Sequence, residues 1–126
     1  MFATMDSVIS KNFRFHGHAS LKYVFAHGNA ARGRWFAMKY LANPRRSRPR
    51  LAVVVSKKVF KSAVQRNRVR RRVYEIARPF IVATSQPIDV AISVYSPEIL
   101  TAPHDELAKQ LLPLLHRAGL RAGKNI

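Results

Sequence analysis

The sequence has no cysteine and few acidic residues, and each shortage excludes a class of protein. Without cysteine there is no disulfide and no thiolate metal site, which fits a reducing compartment. Only 6 Asp and Glu occur among 126 residues, so the chain lacks the clustered carboxylates of a metal-dependent protein nuclease. Neither an HExxH nor a GxSxG motif is present. The sequence therefore predicts no catalytic residue and no metal site in the protein itself.

Long hydrophobic runs and internal repeats are also missing. No apolar stretch approaches the length of a membrane span, and the N-terminal MFATMDSVISKNFRF lacks the apolar core of a secretory signal. We therefore expect a cytoplasmic protein with no membrane partner and no obligate protein partner. A chain of 126 residues, 48% of them hydrophobic, suits one compact domain. We place that domain at residues 13–120, between a loose lead-in over residues 1–12 and a tail over residues 121–126.

Positive charge is what the chain has in excess. Its 23 Lys and Arg outnumber 6 Asp and Glu, which gives a formal net charge of +17. A charge of this size indicates a polyanionic partner, and nucleic acid is favoured over an anionic membrane surface. Residues 1–80 hold 19 basic and two acidic residues, whereas residues 81–126 hold four of each. The polyanion site must therefore lie in the first two-thirds of the chain.

The hydrophobic pattern predicts a single-domain α-β sandwich of the α+β class, with elements in the order αββαβα. The run NPRRSRPR, residues 43–50, predicts an exposed basic loop with another short strand near it. Ser20 is expected to cap the first helix and Gly28 to end it. The predicted helices cover residues 20–27, 63–80 and 101–118, and the predicted strands cover residues 35–42, 51–55 and 89–95.

The segment 56–78 carries nine basic residues and one acid, Glu75. Its helix has an apolar stripe that predicts packing on a sheet, a cap at Ser62 and an end at Pro79. Arginines wrap the other half of the helix, where only Glu75 could neutralise any of them. An ordinary solvated face mixes signs, so this imbalance favours phosphate binding through arginine forks. The stripe consists of Val69, Val73, Ile76, Ala77 and Phe80.

Aromatic residues interleaved with basic ones could stack on the bases of a single nucleic acid strand. For any one of them a place in the core is the more frequent outcome. Strand alternation puts Phe36 and Tyr40 on one face of their strand and Trp35 and Lys39 on the other, so at most one set is exposed. The five histidines show no spacing typical of a metal site.

The stretch SKKVFKSAVQRNRVRRRVYE resembles the bacterial ribonuclease P protein subunit. The resemblance is carried by Ser-Lys-Lys after a strand, then Ala-Val, Arg-Asn-Arg, an aliphatic residue and Arg-Arg. It extends to SLKYVFAHG, similar to the first helix of the family, and to GRWFAMKYL, similar to its first strand. The family often has an aromatic residue where this chain has Leu21, and another near Lys39. The resemblance covers roughly residues 20–118.

The resemblance implies a ribonucleoprotein endoribonuclease that removes the 5′ leader from precursor tRNA. It implies that an RNA subunit carries out the hydrolysis with Mg²⁺ held mainly by that RNA, and that the protein is an accessory subunit. It also implies a left-handed crossover around the basic helix. The residues implied for binding the catalytic RNA are Arg66, Asn67, Arg68, Arg70 and Arg71. Those implied for holding the single-stranded leader, between the first helix and the sheet, are Phe25, Phe36, Lys57 and Lys58.

Three other readings remain open from the sequence. A ribosomal or other structural RNA-binding protein would explain the charge, although it gives no reason for an aromatic cleft beside Lys57 and Lys58. A DNA-binding helix of the basic-region type conflicts with the apolar stripe, which indicates packing on a sheet. A protein nuclease acting alone lacks the carboxylates.

Overall fold

A computed structural model describes residues 18–45 and 48–120. The predicted lead-in over residues 1–12 and the predicted tail over residues 121–126 lie outside the described residues. The helices are α1 (His18–His27), α2 (Ala63–Ala83) and α3 (His104–Arg117). The strands are β1 (Asn29–Arg32), β2 (Phe36–Ala42), β3 (Arg50–Val55) and β4 (Ile88–Val94), and a 3-10 turn covers Pro97–Leu100. This confirms the predicted α+β class, with the extra strand directly after α1 and not beside the basic loop.

The four strands form one sheet in the order β1-β2-β4-β3. β2 is antiparallel to both of its neighbours, whereas β3 runs parallel to β4 and is joined to it through α2. The left-handedness of that crossover stays a prediction. Phe36 pairs with Val94 in register, and Leu51 with Val90, so these four side chains share one face of the sheet. All four are buried.

Helices cover the two faces of the sheet unequally. α2 and α3 pack on the face that carries Phe36, and together they enclose the main hydrophobic core. α1 contacts β2 and β4, and its buried Val24 lies outside that main core, which places α1 on the opposite face. A single ten-residue helix cannot cover a four-stranded sheet, so part of this second face remains open. We call it the α1 face.

The arginine-rich helix begins as predicted and ends later. Ser62 caps its first turn by accepting a hydrogen bond from the Gln65 amide at 3.3 Å. All five residues of the predicted apolar stripe are buried. The predicted end at Pro79 is wrong, because the helix continues to Ala83. Phe80 and Ile81 are packed in the core, and that packing offsets the hydrogen bond that proline removes.

Glycines terminate the other two helices, in agreement with the prediction. Gly28 donates from its amide to the Val24 carbonyl at 2.8 Å, and a Cβ at this position would lie 2.6 Å from that oxygen. Gly119 follows α3 with a φ of 83°, a conformation that favours glycine. The capping role predicted for Ser20 is wrong, because α1 begins two residues earlier, at His18.

Arg72 has a structural role that its position in the sequence does not reveal. Its guanidinium donates to the carbonyls of Ile99 and Leu100, at 2.6 and 3.0 Å, and also to that of Ala102. It therefore fastens the 3-10 turn to α2 and joins the charge-rich helix to the C-terminal third of the chain. Of the arginines on α2, this one is committed to the fold.

Candidate RNA interface

The predicted RNA-subunit residues all lie on one stretch of α2, opposite its buried stripe. Arg68 and Arg71 are exposed, and the other three are half-buried along the flank of the helix. The stretch spans less than two helical turns, so five polar and basic side chains occupy one compact surface. We call this surface the arginine face, and it consists of Arg66, Asn67, Arg68, Arg70 and Arg71.

Arg66 ties the loop before α2 to the helix. Its Nη1 donates to the carbonyls of Phe60 and Lys61, each at 2.9 Å. The Phe60 side chain is buried and its amide donates to the Ser56 carbonyl at 3.1 Å, which closes the turn after β3. The position of Lys57 and Lys58, exposed within this turn, is thereby fixed relative to the arginine face.

Arg70 is a half-buried cation of the arginine face with another cation, Arg66, close by. Its Nη1 donates to Oδ1 of Asn67 at 2.9 Å, and Asn67 carries no charge to balance it. Burial lowers the pKa of Arg70, and the positive charge of Arg66 lowers it further, against a smaller opposing effect of Tyr74. The fold thus holds a guanidinium where its charge is unfavourable. An anion bound beside it would remove that penalty.

No acidic group of residues 18–45 and 48–120 pairs with this surface. Glu75 was predicted to be within reach of neighbouring arginines, but it is exposed and forms no ion pair within residues 18–45 and 48–120. The ion pair found in that part of the chain joins Arg50 to Asp89, on the other face of the sheet. The charge of the arginine face is therefore not offset by an acidic side chain of the described residues.

The predicted leader residues are only partly brought together. Phe25 is 36% exposed on α1, and Lys57 and Lys58 are exposed just beyond the end of β3. Phe36 was predicted to join them, and that prediction is wrong. Its side chain is 0% exposed and lies with Met38 on the core face, where it has no surface to offer a base.

The uncovered part of the α1 face forms a shallow floor beside α1. Strand alternation and register put five half-exposed side chains there, on β2, β3 and β4. Four of them are small, which leaves room for a ligand, and the fifth is a lysine that brings positive charge to the sheet. We call this surface the cleft floor, and it consists of Ala37, Lys39, Ala52, Val54 and Ser93.

Arg50 does not belong to the exposed basic loop in which the sequence placed it. It is the first residue of β3, buried, and its Nε and Nη2 donate to the two carboxylate oxygens of Asp89, each at 2.8 Å. Asn43 donates a third hydrogen bond to Asp89 at 2.9 Å. Of the loop arginines that the structure describes, Arg45 and Arg48 are exposed.

Tyr23 is an exposed aromatic residue that sequence reasoning missed. It lies on α1, 58% exposed, with its ring centroid 4.4 Å from that of His27. Leu21, Val24 and Phe25 have the i, i+3, i+4 spacing of the apolar stripe of an amphipathic helix. Tyr23 falls outside that stripe, which was the available signal that its ring faces solvent.

Within residues 18–45 and 48–120, no three His, Asp or Glu side chains lie close enough to hold a metal ion. In the same part of the chain, no helix is both long and apolar enough to cross a membrane.

Comparison with known sequences gives one consistent family. The model of the family Ribonuclease P matches residues 9–119. The ribonuclease P protein component of Chloroflexus aurantiacus is 37% identical over 92 residues, which cover 70% of this chain and 67% of that protein. That of Thermus aquaticus is 40% identical over 93 residues, 74% of this chain and 52% of the relative. This chain therefore matches about half the length of the Thermus protein.

Solved structures show the same fold. The ribonuclease P protein of Thermotoga maritima superimposes with a TM-score of 0.72 at 25% identity, covering 82% of this chain and 96% of that one. The Staphylococcus aureus protein gives a TM-score of 0.74 at 20% identity, covering 86% of this chain and 96% of that one. The sheet and the helices around it are thus those of a known architecture.

Proposed function

The chain belongs to the ribonuclease P protein family, and on that premise we propose how its surfaces serve removal of the 5′ leader from precursor tRNA. Membership makes it a component of an endoribonuclease complex and associates it with ribonuclease P RNA. Relatives and fold do not favour the alternative of a ribosomal or other structural RNA-binding protein. The arginine face binds the catalytic RNA, and the α1 face holds the single-stranded leader.

The environment of Arg70 carries the first half of this proposal. The half-buried guanidinium of Arg70 lies beside the charge of Arg66 and hydrogen bonds to the uncharged Asn67 amide, and burial and Arg66 both disfavour its charged form in the isolated protein. A folded RNA supplies phosphates at close spacing, and arginine forks match their geometry. The same surface offers Arg68 and Arg71 fully exposed for further phosphate contacts.

The second half concerns the leader. Phe25 offers a partly exposed ring on which a base can stack, while Lys57 and Lys58 offer charge for the strand's phosphates. The cleft floor lies beside α1 on β2, β3 and β4, and its small side chains leave room for an unpaired strand. The protein in this way separates two RNA ligands onto different surfaces of one domain.

The protein's part in the reaction is binding and charge screening. We propose that hydrolysis is carried out by the RNA subunit, with Mg²⁺ held mainly by that RNA, in the cytoplasm. The described residues offer no cluster of acids suited to Mg²⁺, and the carboxylate of Asp89 is committed to Arg50 and Asn43. By lowering phosphate repulsion between enzyme and substrate, the protein reduces the Mg²⁺ concentration that cleavage requires.

Reconstitution tests the function directly. A precursor tRNA is incubated at low Mg²⁺ with the protein alone, with a bacterial ribonuclease P RNA alone, and with both. We expect cleavage at the 5′ junction only in the mixture. Cleavage by the protein alone would place a catalytic site in the protein. Tight RNA binding without stimulation of cleavage would favour the alternative hypothesis of a structural RNA-binding protein.

Phe25→Ala tests the leader surface. We expect the reconstituted enzyme to lose about fivefold or more of its preference for precursor over mature tRNA, because base stacking contributes roughly 1–3 kcal/mol. Binding of the protein to the RNA subunit should remain unchanged, since Phe25 lies on the other side of the sheet from α2. Dissociation constants for precursor and mature tRNA give the ratio.

The control for this substitution is Val82→Ala, which removes an exposed apolar side chain at the far end of α2. It should leave the preference intact. A preference equally reduced in both variants would show that exposed apolar surface in general, and not the ring of Phe25, is what matters.

A further inference from the structure

A cavity of about 510 Å³ lies at the end of the α1 face opposite Lys57 and Lys58. One wall is the ring of Tyr23. Another is the end of β2 with the turn that follows it, from Leu41 to Arg45, and the floor is the Arg50–Asp89 pair. We call it the Tyr23 pocket. None of its lining residues belongs to the arginine face or to the cleft floor.

The two charged side chains at the floor of the pocket pair with each other. Asp89 accepts two hydrogen bonds from Arg50 and one from Asn43, so its negative charge is balanced within the protein. The other end of the Asn43 side chain, Oδ1, accepts from the Arg45 amide at 3.3 Å, which fixes the turn. An approaching phosphate therefore meets no uncompensated carboxylate there.

The walls combine flat apolar surface with one cation. Tyr23 presents most of its ring, Leu41 and Pro44 are apolar, and Arg45 is exposed at the rim. A ring for stacking with an arginine beside it is the combination that single-stranded nucleic acid binders use for an unpaired base and its phosphate. A free anion would need more charge than this pocket has, and an apolar ligand would not need Arg45.

The pocket continues the cleft floor. Leu41 follows Lys39 on the same face of β2, and Arg50 precedes Ala52 on the same face of β3. Lys57 and Lys58 follow the other end of β3, a strand that is about 17 Å long at roughly 3.3 Å per residue. A strand of RNA lying on the cleft floor would reach both ends only by extending over several nucleotides.

We propose that the Tyr23 pocket receives one base of the leader, several nucleotides away from the part held beside Lys57 and Lys58 at the other end of β3. This rests on the proposed function, and it adds a second, separate subsite on the same RNA strand. Tyr23 would stack on the base, and Arg45 would contact the adjoining phosphate.

Abasic scanning of the leader tests the proposal. Single leader nucleotides of a precursor tRNA are replaced in turn by abasic residues, and affinity for the reconstituted holoenzyme is measured. With unaltered protein, we expect two separated positions where loss of the base weakens binding about fivefold or more. With Tyr23→Ala, sensitivity at one position should vanish. With Phe25→Ala, sensitivity at the other should vanish.

Tyr23→Phe is the matched control, because it keeps the ring and should retain both sensitive positions. An unchanged profile in Tyr23→Ala, with the Phe25-dependent position still present, would overturn the pocket assignment and leave the proposed function standing. A flat profile with unaltered protein would overturn leader binding as a whole. Equal weakening of precursor and mature tRNA by Tyr23→Ala would also overturn the assignment, since mature tRNA has no leader.

Discussion

Arg70→Ala weakens binding of the protein to ribonuclease P RNA by about tenfold or more, without lowering the stability of the free protein. The loss follows from the value of hydrogen bonds to charged groups, roughly 1.5–3 kcal/mol, where each 1.4 kcal/mol is tenfold in affinity. The unaffected stability follows from burial and the charge of Arg66, which both disfavour the charged form of Arg70 in the folded state and lower its pKa. Removing this guanidinium therefore removes an unfavourable group from the fold.

Salt titration and unfolding measure the two halves of this expectation. Dissociation constants at several salt concentrations should show a log–log slope smaller by about one, because one phosphate contact is lost. Urea unfolding should give a free energy equal to or above that of the unaltered protein. Arg70→Lys keeps the charge but not the planar fork, and should recover only part of the affinity.

Arg117→Ala is the control for charge alone. Arg117 is an exposed arginine in the last turn of α3, outside the arginine face. Its removal should lower RNA affinity much less than removal of Arg70. Equal losses in the two variants would mean that the RNA responds to net charge and not to a site on α2.

Asp89→Ala has the largest expected effect on stability, about 3–5 kcal/mol. It leaves the buried guanidinium of Arg50 without its carboxylate, and it removes the acceptor of the Asn43 amide. Urea unfolding should show a much lower midpoint with an unchanged slope. The pair joins the starts of the parallel strands β3 and β4, so the damage falls on the sheet itself.

Two further variants distinguish the effect of losing the Arg50–Asp89 ion pair from the effect of losing a carboxylate alone. Asp105→Ala removes an exposed acid in the first turn of α3 and should cost no more than about 1 kcal/mol through the helix dipole. Arg50→Met combined with Asp89→Leu replaces the pair with apolar groups of similar size. The double variant should recover most of the lost stability, because a buried ion pair rarely stabilises a protein more than well-packed apolar residues of similar volume do. A double variant as unstable as Asp89→Ala would contradict this account.

Local patterns predicted the parts of the fold that local physics decides. The apolar stripe of α2 has the 3.6-residue period of a helix that packs on a sheet. The hydroxyl of Ser62 suits a helix start, and Gly28, which has no Cβ, suits a helix stop. Local rules failed where distant packing decides the outcome. Pro79 should have ended α2, yet the burial of Phe80 beyond it extends the helix by a turn.

In the candidate site, too, local patterns predicted some residues correctly and failed for residues whose contacts are distant in sequence. The helical period placed Arg66 to Arg71 on one outer surface without any knowledge of the rest of the chain. Arg50 and Arg72 were read as exposed basic residues because their partners lie 39 and 27–30 residues away in sequence. For Phe36, strand alternation shows that it shares a face of β2 with Tyr40, but it does not show whether that face is buried. Only the position of α2 and α3 decides which face is core.

The position of β4 sets the order in which this chain can complete its fold. β4 lies between β2 and β3 in the sheet, yet it follows both of them in sequence. Until β4 has been made, β2 is paired only with β1 and β3 has no sheet neighbour, so α2 leaves the ribosome with no finished sheet to pack on. Bringing Arg50 and Asp89 together closes a loop between residues 39 apart in sequence. This closure costs more conformational entropy than formation of a local hairpin such as β1–β2. The net-neutral last third of the chain, which contributes no residue to the arginine face, is therefore the part that turns a nascent basic chain into a folded protein.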